Sequence, residues 1–166
     1  MKIHPTAMGE GEKVTIRKAT VADIDLLVRL RFAYLEADGG TIADADRKAL
    51  EKQLPDYFSK HLADGGFIGI IAEMDGTAVS TAFLAISEKP ANPAFITGKT
   101  GTLLNVLTVP AYRRKGIATK VIERLMDEAK LAGVATVDLL ATEDGEPLYR
   151  KNGFTESTYT YMRKKL

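Results

Sequence analysis

The 166-residue sequence contains no cysteine and no tryptophan, and its only histidines are His4 and His61. The lack of cysteine excludes disulfides, thiolate metal ligands and a cysteine nucleophile. The sequence also lacks the G-x-S-x-G turn, so a Ser-His-Asp triad or a His-rich metal site would rely almost wholly on His61. We therefore expect no metal site and no nucleophilic triad.

Charge of one sign and long apolar runs are missing as well. There are 23 Lys and Arg against 22 Asp and Glu, a net charge of +1, which argues against a nucleic-acid coat or a polybasic membrane tether. The apolar run 67–72 is far shorter than the roughly 20 residues that cross a bilayer, and residues 1–12 lack the apolar core of a signal peptide. We expect a cytoplasmic protein without nucleic-acid or membrane partners, with a loose leader (1–12) and a single domain (13–166).

Local patterns predict alternating strands and helices. Thr20 begins the segment T-V-A-D, which resembles a capping box with Asp23 in place of Glu, and Asp75-Gly76 joins two β-rich runs in the manner of a hairpin. Pro55 should interrupt or kink the second helix. The predicted strands are 14–17, 67–74, 78–87, 102–109, 134–141 and a terminal strand or hairpin over 154–162; the predicted helices begin after Thr20 and cover 43–62, 116–132 and 147–151. This order predicts a mixed α/β fold with an antiparallel middle hairpin and a parallel crossover in the second half.

The segment 109–119, V-P-A-Y-R-R-K-G-I-A-T, joins an apolar strand to the start of a helix. The first amide groups of a helix lack partners within it, and the helix dipole is positive there, so the segment can bind a phosphate. Gly116 allows close approach of the backbone, and three cations precede it. The segment is neither a Walker A loop nor a G-x-G-x-x-G turn. The alternative is a solvated basic turn that caps a helix and binds nothing.

In context, this segment resembles the coenzyme motif of the GNAT superfamily of N-acetyltransferases. That motif is Arg or Gln, two variable residues, Gly, one variable residue, and Gly or Ala, which residues 113–118 match. Leu148-Tyr149 followed by Gly153-Phe154 is similar to the family's second motif, and the resemblance covers about 101–154. It implies a central mixed sheet of six to seven strands, splayed between the fourth and fifth strands and flanked by about four helices.

The resemblance also implies the activity and the coenzyme site. Acetyl-CoA would be the co-substrate, and a primary amine of a small molecule or peptide would attack it directly through a tetrahedral intermediate. The pantetheine arm would pair with backbone groups of residues 107–109, and the diphosphate would bind amides of residues 114–119. Thr142 stands where many members have a coenzyme-binding Asn. The implied cofactor-binding residues are Leu107, Thr108, Val109, Arg113, Arg114, Lys115, Gly116, Ile117, Ala118, Thr119 and Thr142.

Tyr149 is the candidate general acid that would protonate the departing thiolate, because a phenol with a pKa near 10 keeps its proton at neutral pH. The alternative is an aromatic ring that only packs beside Phe154. Gly101 and Thr102 occur where many members have a Glu as general base, so the base is open between other acidic residues and a water chain.

Three further residues are candidates for the acceptor site. Arg31 lies within an apolar helical stripe, either as a stem that snorkels past the core or as a positive group at the rim of a pocket. Asn105 is polar within an apolar strand, on the pleat face of Leu103, and it either lines the pocket or satisfies a neighbouring backbone group. Glu73 is a candidate base or amine-binding anion, although acidic residues at strand ends are usually surface groups.

Two other functions compete with the acetyltransferase hypothesis. A catalytically silent acyl-CoA-binding module would use the same coenzyme site, while a nucleic-acid-binding domain would use residues 113–115 but lacks the net charge and aromatic platform. A homodimer is possible, because C-terminal strands of this family often pair across subunits.

Overall fold

A computed structural model describes residues 13–166; the predicted leader, residues 1–12, lies outside them. The chain forms five strands and four α-helices within this range, with short 3-10 turns before α1 and after β4. The strands are β1 (Thr15–Lys18), β2 (Phe67–Met74), β3 (Thr77–Glu88), β4 (Lys99–Thr108) and β5 (Thr136–Asp138). The helices are α1 (Ile24–Gly39), α2 (Asp44–Asp64), α3 (Ile117–Leu131) and α4 (Glu146–Lys151).

The strands form one mixed sheet in the order β1-β2-β3-β4-β5. The first four strands are antiparallel to their neighbours, and β5 is parallel to β4, to which it is connected through α3. Asp75 and Gly76 have φ values of 49° and 73°, which suits the tight turn between β2 and β3. The predicted mixed α/β fold, with its middle hairpin and its parallel crossover, is confirmed.

Two hydrophobic cores cover the two faces of the sheet. Ile117, Val121 and Leu125 of α3 pack on one face, and Leu27 of α1 and Phe58 of α2 pack on the other. Strands β2 and β3 are buried on both faces and are therefore nearly continuous apolar runs. Each of these fully buried side chains stabilises the fold by about 1.5–3 kcal/mol.

The predicted capping box at Thr20 precedes α1. The Thr20 hydroxyl accepts a hydrogen bond from the amide of Ala22, and the Thr20 amide donates to Asp23 at 2.8 Å. Arg17 also binds Asp23 through two hydrogen bonds, of 2.8 and 2.9 Å. These bonds, with that of Arg17 foremost, lower the pKa of Asp23 from 3.8 to about 2. The start of the first helical segment is thus fixed to β1.

The expected sheet of six to seven strands is wrong for the described residues, which contain five. Residues 154–162 were predicted as a terminal strand or hairpin but contain no strand, and the side chain of Tyr159 is 87% exposed. An alternating pattern forms a strand only where a sheet edge and a covered face are available. The fifth strand is also shorter than predicted, at three residues rather than 134–141.

Helix α2 continues through Pro55, where an interruption or a kink was predicted. Proline removes one backbone hydrogen bond from a helix interior. Leu54 and Phe58, on either side of it, are buried in the core, and their burial offsets that loss. Within residues 13–166, no helix has the combination of length and apolar character needed to cross a bilayer. The cytoplasmic location stays a prediction.

Candidate active site

The edge of β4 that faces β5 is unpaired over most of its length. β5 pairs with β4 only at Thr100–Thr102, whereas β3 pairs with β4 from Lys99 to Thr108. In the part of the chain that the structure describes, no strand lies beside residues 103–108 on the β5 side. An unpaired strand edge presents N–H and C=O groups to an extended, amide-containing ligand.

A β-bulge interrupts β4 at Asn105. Phe83 pairs with Leu104 and Thr81 with Leu107, so Asn105 and Val106 lie together opposite Ala82. Asn105 has a φ of 58°, a conformation that Asn tolerates better than most residues. The extra residue bends a strand and disrupts the alternation of its side chains. The bulge lies within residues 103–108, the stretch that β5 leaves unpaired.

The bulge also corrects the predicted orientation of Asn105. Its amide nitrogen donates to the Leu30 carbonyl in α1 at 3.2 Å, so the side chain points to the α1 face. Leu103 instead packs into the core beneath α3. The prediction that Asn105 shares a pleat face with Leu103 is therefore wrong, because a bulge breaks the period of two on which it relied.

The N-terminus of α3 is open at the same end of β4. Gly116 has a φ of 75°, and a Cβ added there would meet no atom within 4 Å. No side chain of residues 13–166 caps the helix, and the first bond within it runs from the Lys120 amide to the Gly116 carbonyl. The amides of residues 117–119 thus lack partners inside the helix. Ile117 is buried in the core and anchors this first turn.

The three cations before Gly116 are exposed and form no ion pair with any carboxylate of residues 13–166. Arg113 donates through Nε to the Thr108 carbonyl at 2.9 Å, which ties the turn to the end of β4. Lys115 lies over the ring of Tyr112, 5.4 Å from its centroid. Positive charge and unpaired amides therefore occur together where β4 ends and α3 begins, an arrangement suited to a polyanion.

Tyr149 lies on α4, half-buried, with its ring packed edge-on against Phe154 at 6.0 Å between centroids. A Cβ at Gly145 would come within 3.2 Å of this ring, so a small residue is needed there. Burial, and then the neighbouring Tyr34, raise the pKa of Tyr149 to about 12. The phenol keeps its proton at neutral pH, and its hydroxyl hydrogen-bonds to no other residue of 13–166.

Arg31 on α1 is half-buried and contacts the bulge. Its Nη1 donates to Asn105 Oδ1 at 3.3 Å, and its Cζ lies 5.8 Å from the centre of the Tyr34 ring. Burial lowers the pKa of Arg31, while Tyr34, Tyr57 and Asp38 act in the opposite direction. Direct contacts thus join Arg31 to Asn105 and to the Tyr34 ring, and Tyr34 in turn acts electrostatically on the Tyr149 hydroxyl.

Two of the predicted site residues, Glu73 and Thr142, make contacts that differ from the predicted ones. Glu73 lies on β2, two strands from β4, and its carboxylate accepts hydrogen bonds from Arg17 at 2.8 and 3.1 Å. The structure does not bring Glu73 to Tyr149. Thr142 is exposed in the loop before α4, where its hydroxyl accepts from the Gly145 amide at 3.2 Å. Residues 13–166 contain no group of three or more His, Asp or Glu placed to hold a metal ion.

Tyr34 lies on one of the early helices that wall the acceptor site in the family that the sequence resembles, although an aromatic residue on a helix is more often part of the core. No local pattern in the sequence links Tyr34 to Tyr149, because the two are far apart in the chain. Tyr34 acts on the Tyr149 hydroxyl electrostatically, from a position that the packing of α1 on the sheet determines.

Comparison with known proteins agrees with this geometry. The family model described as "Acetyltransferase (GNAT) family" matches residues 31–154. The chain belongs to the GNAT acetyltransferase family. The matched range begins at Arg31 within α1 and includes the bulge, the α3 N-terminus and Tyr149. A search of curated proteins finds no match.

Solved structures include similar GNAT proteins. A predicted acetyltransferase from Clostridium acetobutylicum, solved with acetyl-CoA, is 33% identical, with a TM-score of 0.80 over 92% of this chain and 96% of its own. A GCN5-related N-acetyltransferase from Ralstonia eutropha is 27% identical, with a TM-score of 0.77 over 92% and 99%. A glucosamine-6-phosphate N-acetyltransferase from Arabidopsis thaliana is 20% identical, with a TM-score of 0.68 over 92% and 99%, and this likeness concerns the fold alone. Membership of this GNAT family supports acetyltransferase activity.

Proposed function

We propose that this GNAT protein is an N-acetyltransferase that transfers the acetyl group of acetyl-CoA to a primary amine of a small molecule or peptide. The observation that carries the proposal is the unpaired edge of β4 ending beside the open N-terminus of α3. The two features offer an extended amide-binding edge and a polyanion site in succession. Acetyl-CoA has the matching chemistry, because its amide-containing pantetheine arm is joined to a diphosphate.

Residues at the end of β4 and the start of α3 would hold acetyl-CoA. Backbone groups of residues 107–109 would pair with the pantetheine amides, like an added strand. The amides of residues 117–119 and the αL turn at Gly116 would bind the diphosphate, with Arg113, Arg114 and Lys115 adding positive charge. The left-handed conformation of Gly116 favours glycine, and it directs the chain so that these amides remain open to a ligand.

The chemistry would then need no nucleophile from the protein. The neutral nitrogen of the amine forms a bond to the thioester carbon, and a backbone N–H of β4 donates to the carbonyl oxygen as it gains negative charge. When the C–S bond breaks, Tyr149 gives its phenolic proton to the sulfur, and the nitrogen loses one proton to solvent. Solvent returns a proton to Tyr149, so that the products are the N-acetyl amine and free CoA thiol.

The proposal is tested by release of free thiol from acetyl-CoA in the presence of a panel of primary amines, with the acetylated product identified by mass spectrometry. We expect thiol release that depends on the amine and a product heavier by one acetyl group. Binding of acetyl-CoA is measured separately by calorimetry. Binding without thiol release from any amine would instead favour the silent acyl-CoA-binding module.

A further inference from the structure

Arg31 is a half-buried cation without a carboxylate partner. Its single hydrogen bond to another residue of 13–166 is the one from Nη1 to Asn105 Oδ1, and it forms no ion pair with any carboxylate of that range. By contrast, Arg17 and Arg150 each form ion pairs with two carboxylates of that range. A partly desolvated guanidinium without an anion is costly, and a ligand anion would relieve that cost.

The free part of the guanidinium has a defined shape. With Nη1 bonded to Asn105, the Nε and Nη2 groups remain as two parallel donors, the fork that binds a planar carboxylate through two hydrogen bonds. Asn105 is fully buried, and its own amide is held by the Leu30 carbonyl. The hydrogen bond to Asn105 in the bulge of β4 therefore orients the Arg31 guanidinium. A side chain that only snorkels past the core would leave its guanidinium unconstrained.

The groups around Arg31 favour a ligand with one negative charge. Tyr34 and Tyr57 have raised pKa values, chiefly through burial, so their hydroxyls are protonated donors, and neither hydrogen-bonds to another residue of 13–166. Arg31 is the one cation of the described residues that opposes these two shifts. Asp38 also acts on Arg31 and Tyr34, but it is exposed to solvent and forms no ion pair with Arg31. The single guanidinium can therefore balance one carboxylate, whereas a phosphate dianion would leave an uncompensated charge.

Resting on the proposed acetyltransferase function, we infer that Arg31 binds a carboxylate of the acceptor, so that the acceptor is a primary amine that also carries a carboxylate. Tyr34 relates the two ends of this arrangement, because the Arg31 guanidinium lies 5.8 Å from the centre of its ring and its hydroxyl acts electrostatically on Tyr149. The amine end of the acceptor would point to Tyr149 and the carboxylate end to Arg31. The snorkelling alternative, by contrast, gives Arg31 no influence on which amine is used.

The test compares matched acceptors: amino acids, the corresponding amino-acid amides, the corresponding decarboxylated amines, and the corresponding aminoalkyl phosphates. Initial rates are expressed per concentration of neutral amine, and binding to the CoA-saturated protein is measured by calorimetry without turnover. Losing a charge-assisted hydrogen bond weakens binding by about 10- to 100-fold, so we expect the carboxylates to exceed the amides by that factor in kcat/KM and in affinity.

Three variants of α1 separate recognition from structure. Arg31→Met should raise KM for the carboxylates about tenfold or more and leave the amides and decarboxylated amines within about twofold, with kcat little changed. Arg31→Lys keeps the positive charge but loses the two parallel donors, so its KM for the carboxylates should lie between those of the unmodified protein and of Arg31→Met. Arg29→Gln, at an exposed position of the same helix, should match the unmodified protein for every acceptor. Acetyl-CoA affinity reports whether each variant has folded.

The outcomes distinguish this inference from the proposed function. Equal affinity for carboxylate and amide, a preference for the phosphates, or a carboxylate preference that survives in Arg31→Met would overturn the carboxylate site while the acetyltransferase stands. Carboxylate binding that disappears in Arg31→Met, without thiol release from any amine, would support the site and overturn the proposed reaction.

Discussion

The role of Tyr149 is tested by removing only its hydroxyl. Tyr149→Phe keeps the ring that packs against Phe154, and the hydroxyl has no partner among residues 13–166, so the free energy of unfolding should change by less than about 0.5 kcal/mol. With the stability unchanged, a loss of activity in Tyr149→Phe would reflect the chemical step rather than the folding of the protein.

The expected magnitude follows from the environment of the phenol. General acids contribute about 10²- to 10⁴-fold and do so best when their pKa lies near the working pH. Because burial and Tyr34 raise the pKa of Tyr149 to about 12, its contribution should lie at the low end. We expect kcat to fall by about 10²-fold in Tyr149→Phe, which corresponds to about 2.7 kcal/mol, with acetyl-CoA affinity largely unchanged.

Single-turnover acetylation of a saturating acceptor is the assay, because it separates the chemical step from product release. Tyr159→Phe, which removes the hydroxyl of an exposed tyrosine in the C-terminal segment, is the matched control and should retain full activity. The raised pKa also predicts that ionisation of Tyr149 causes no alkaline loss of rate below about pH 11. A Tyr149→Phe rate within twofold of the unmodified protein would remove this residue from the mechanism.

Three further experiments, two of them with a matched comparison variant, test the coenzyme site and the fold. Gly116→Asp should weaken acetyl-CoA binding at least about tenfold in calorimetric titration, because a carboxylate beside the unpaired amides repels the diphosphate. The matched control is Gly65→Asp, at the residue that follows α2, which has a φ of 76° and equally open space. It carries the same backbone strain and should leave acetyl-CoA affinity unchanged. Asp23→Asn should lower the free energy of unfolding at pH 7 by about 1–2 kcal/mol, because Arg17 depresses the pKa of Asp23. This contribution of the carboxylate is present above about pH 4 and is lost as the pH falls towards 2. The free energies of unfolding of the variant and the unmodified protein, measured by urea denaturation, should therefore become equal near pH 2. Asn105→Ala should cost about 2–4 kcal/mol through lost hydrogen bonds and a strained left-handed φ, and Asn105→Gly should recover about 1 kcal/mol of it.

Each of these expectations has a contrary result. Equal affinity loss in the Gly116 and Gly65 variants would attribute the effect to backbone strain rather than to charge. If the stability lost in Asp23→Asn were as large at pH 2 as at pH 7, the hydrogen bonds of Asp23, and not its charge, would stabilise the start of the helix. Identical stability of the Ala and Gly variants of Asn105 would contradict strain at the bulge.

Features fixed by a few neighbouring residues could be predicted from the sequence. The capping box needs only Thr20 and Asp23, and the hairpin turn needs only Asp75 and Gly76. Each of these depends on local backbone geometry and on a side chain that reaches no further than one turn. Such local patterns are sufficient to predict where these helices and strands begin and end to within a few residues of the structure.

Features that depend on partners distant in the chain could not be predicted. The conformation of Asn105 results from the register between β3 and β4, and its orientation reverses when one extra residue enters the strand. The absence of a strand at 154–162 depends on which edge the sheet offers, and the lack of an ion pair for Arg31 depends on how α1 and β4 pack. None of these is encoded by composition or by periodicity.

The most direct test of the coenzyme site is a crystal structure of the protein with acetyl-CoA. We expect the diphosphate on the amides that follow Gly116 and the pantetheine arm along the unpaired edge of β4, with the thioester facing Tyr149. A coenzyme bound elsewhere, or a cleft between β4 and β5 closed by side chains in the presence of saturating acetyl-CoA, would contradict the account.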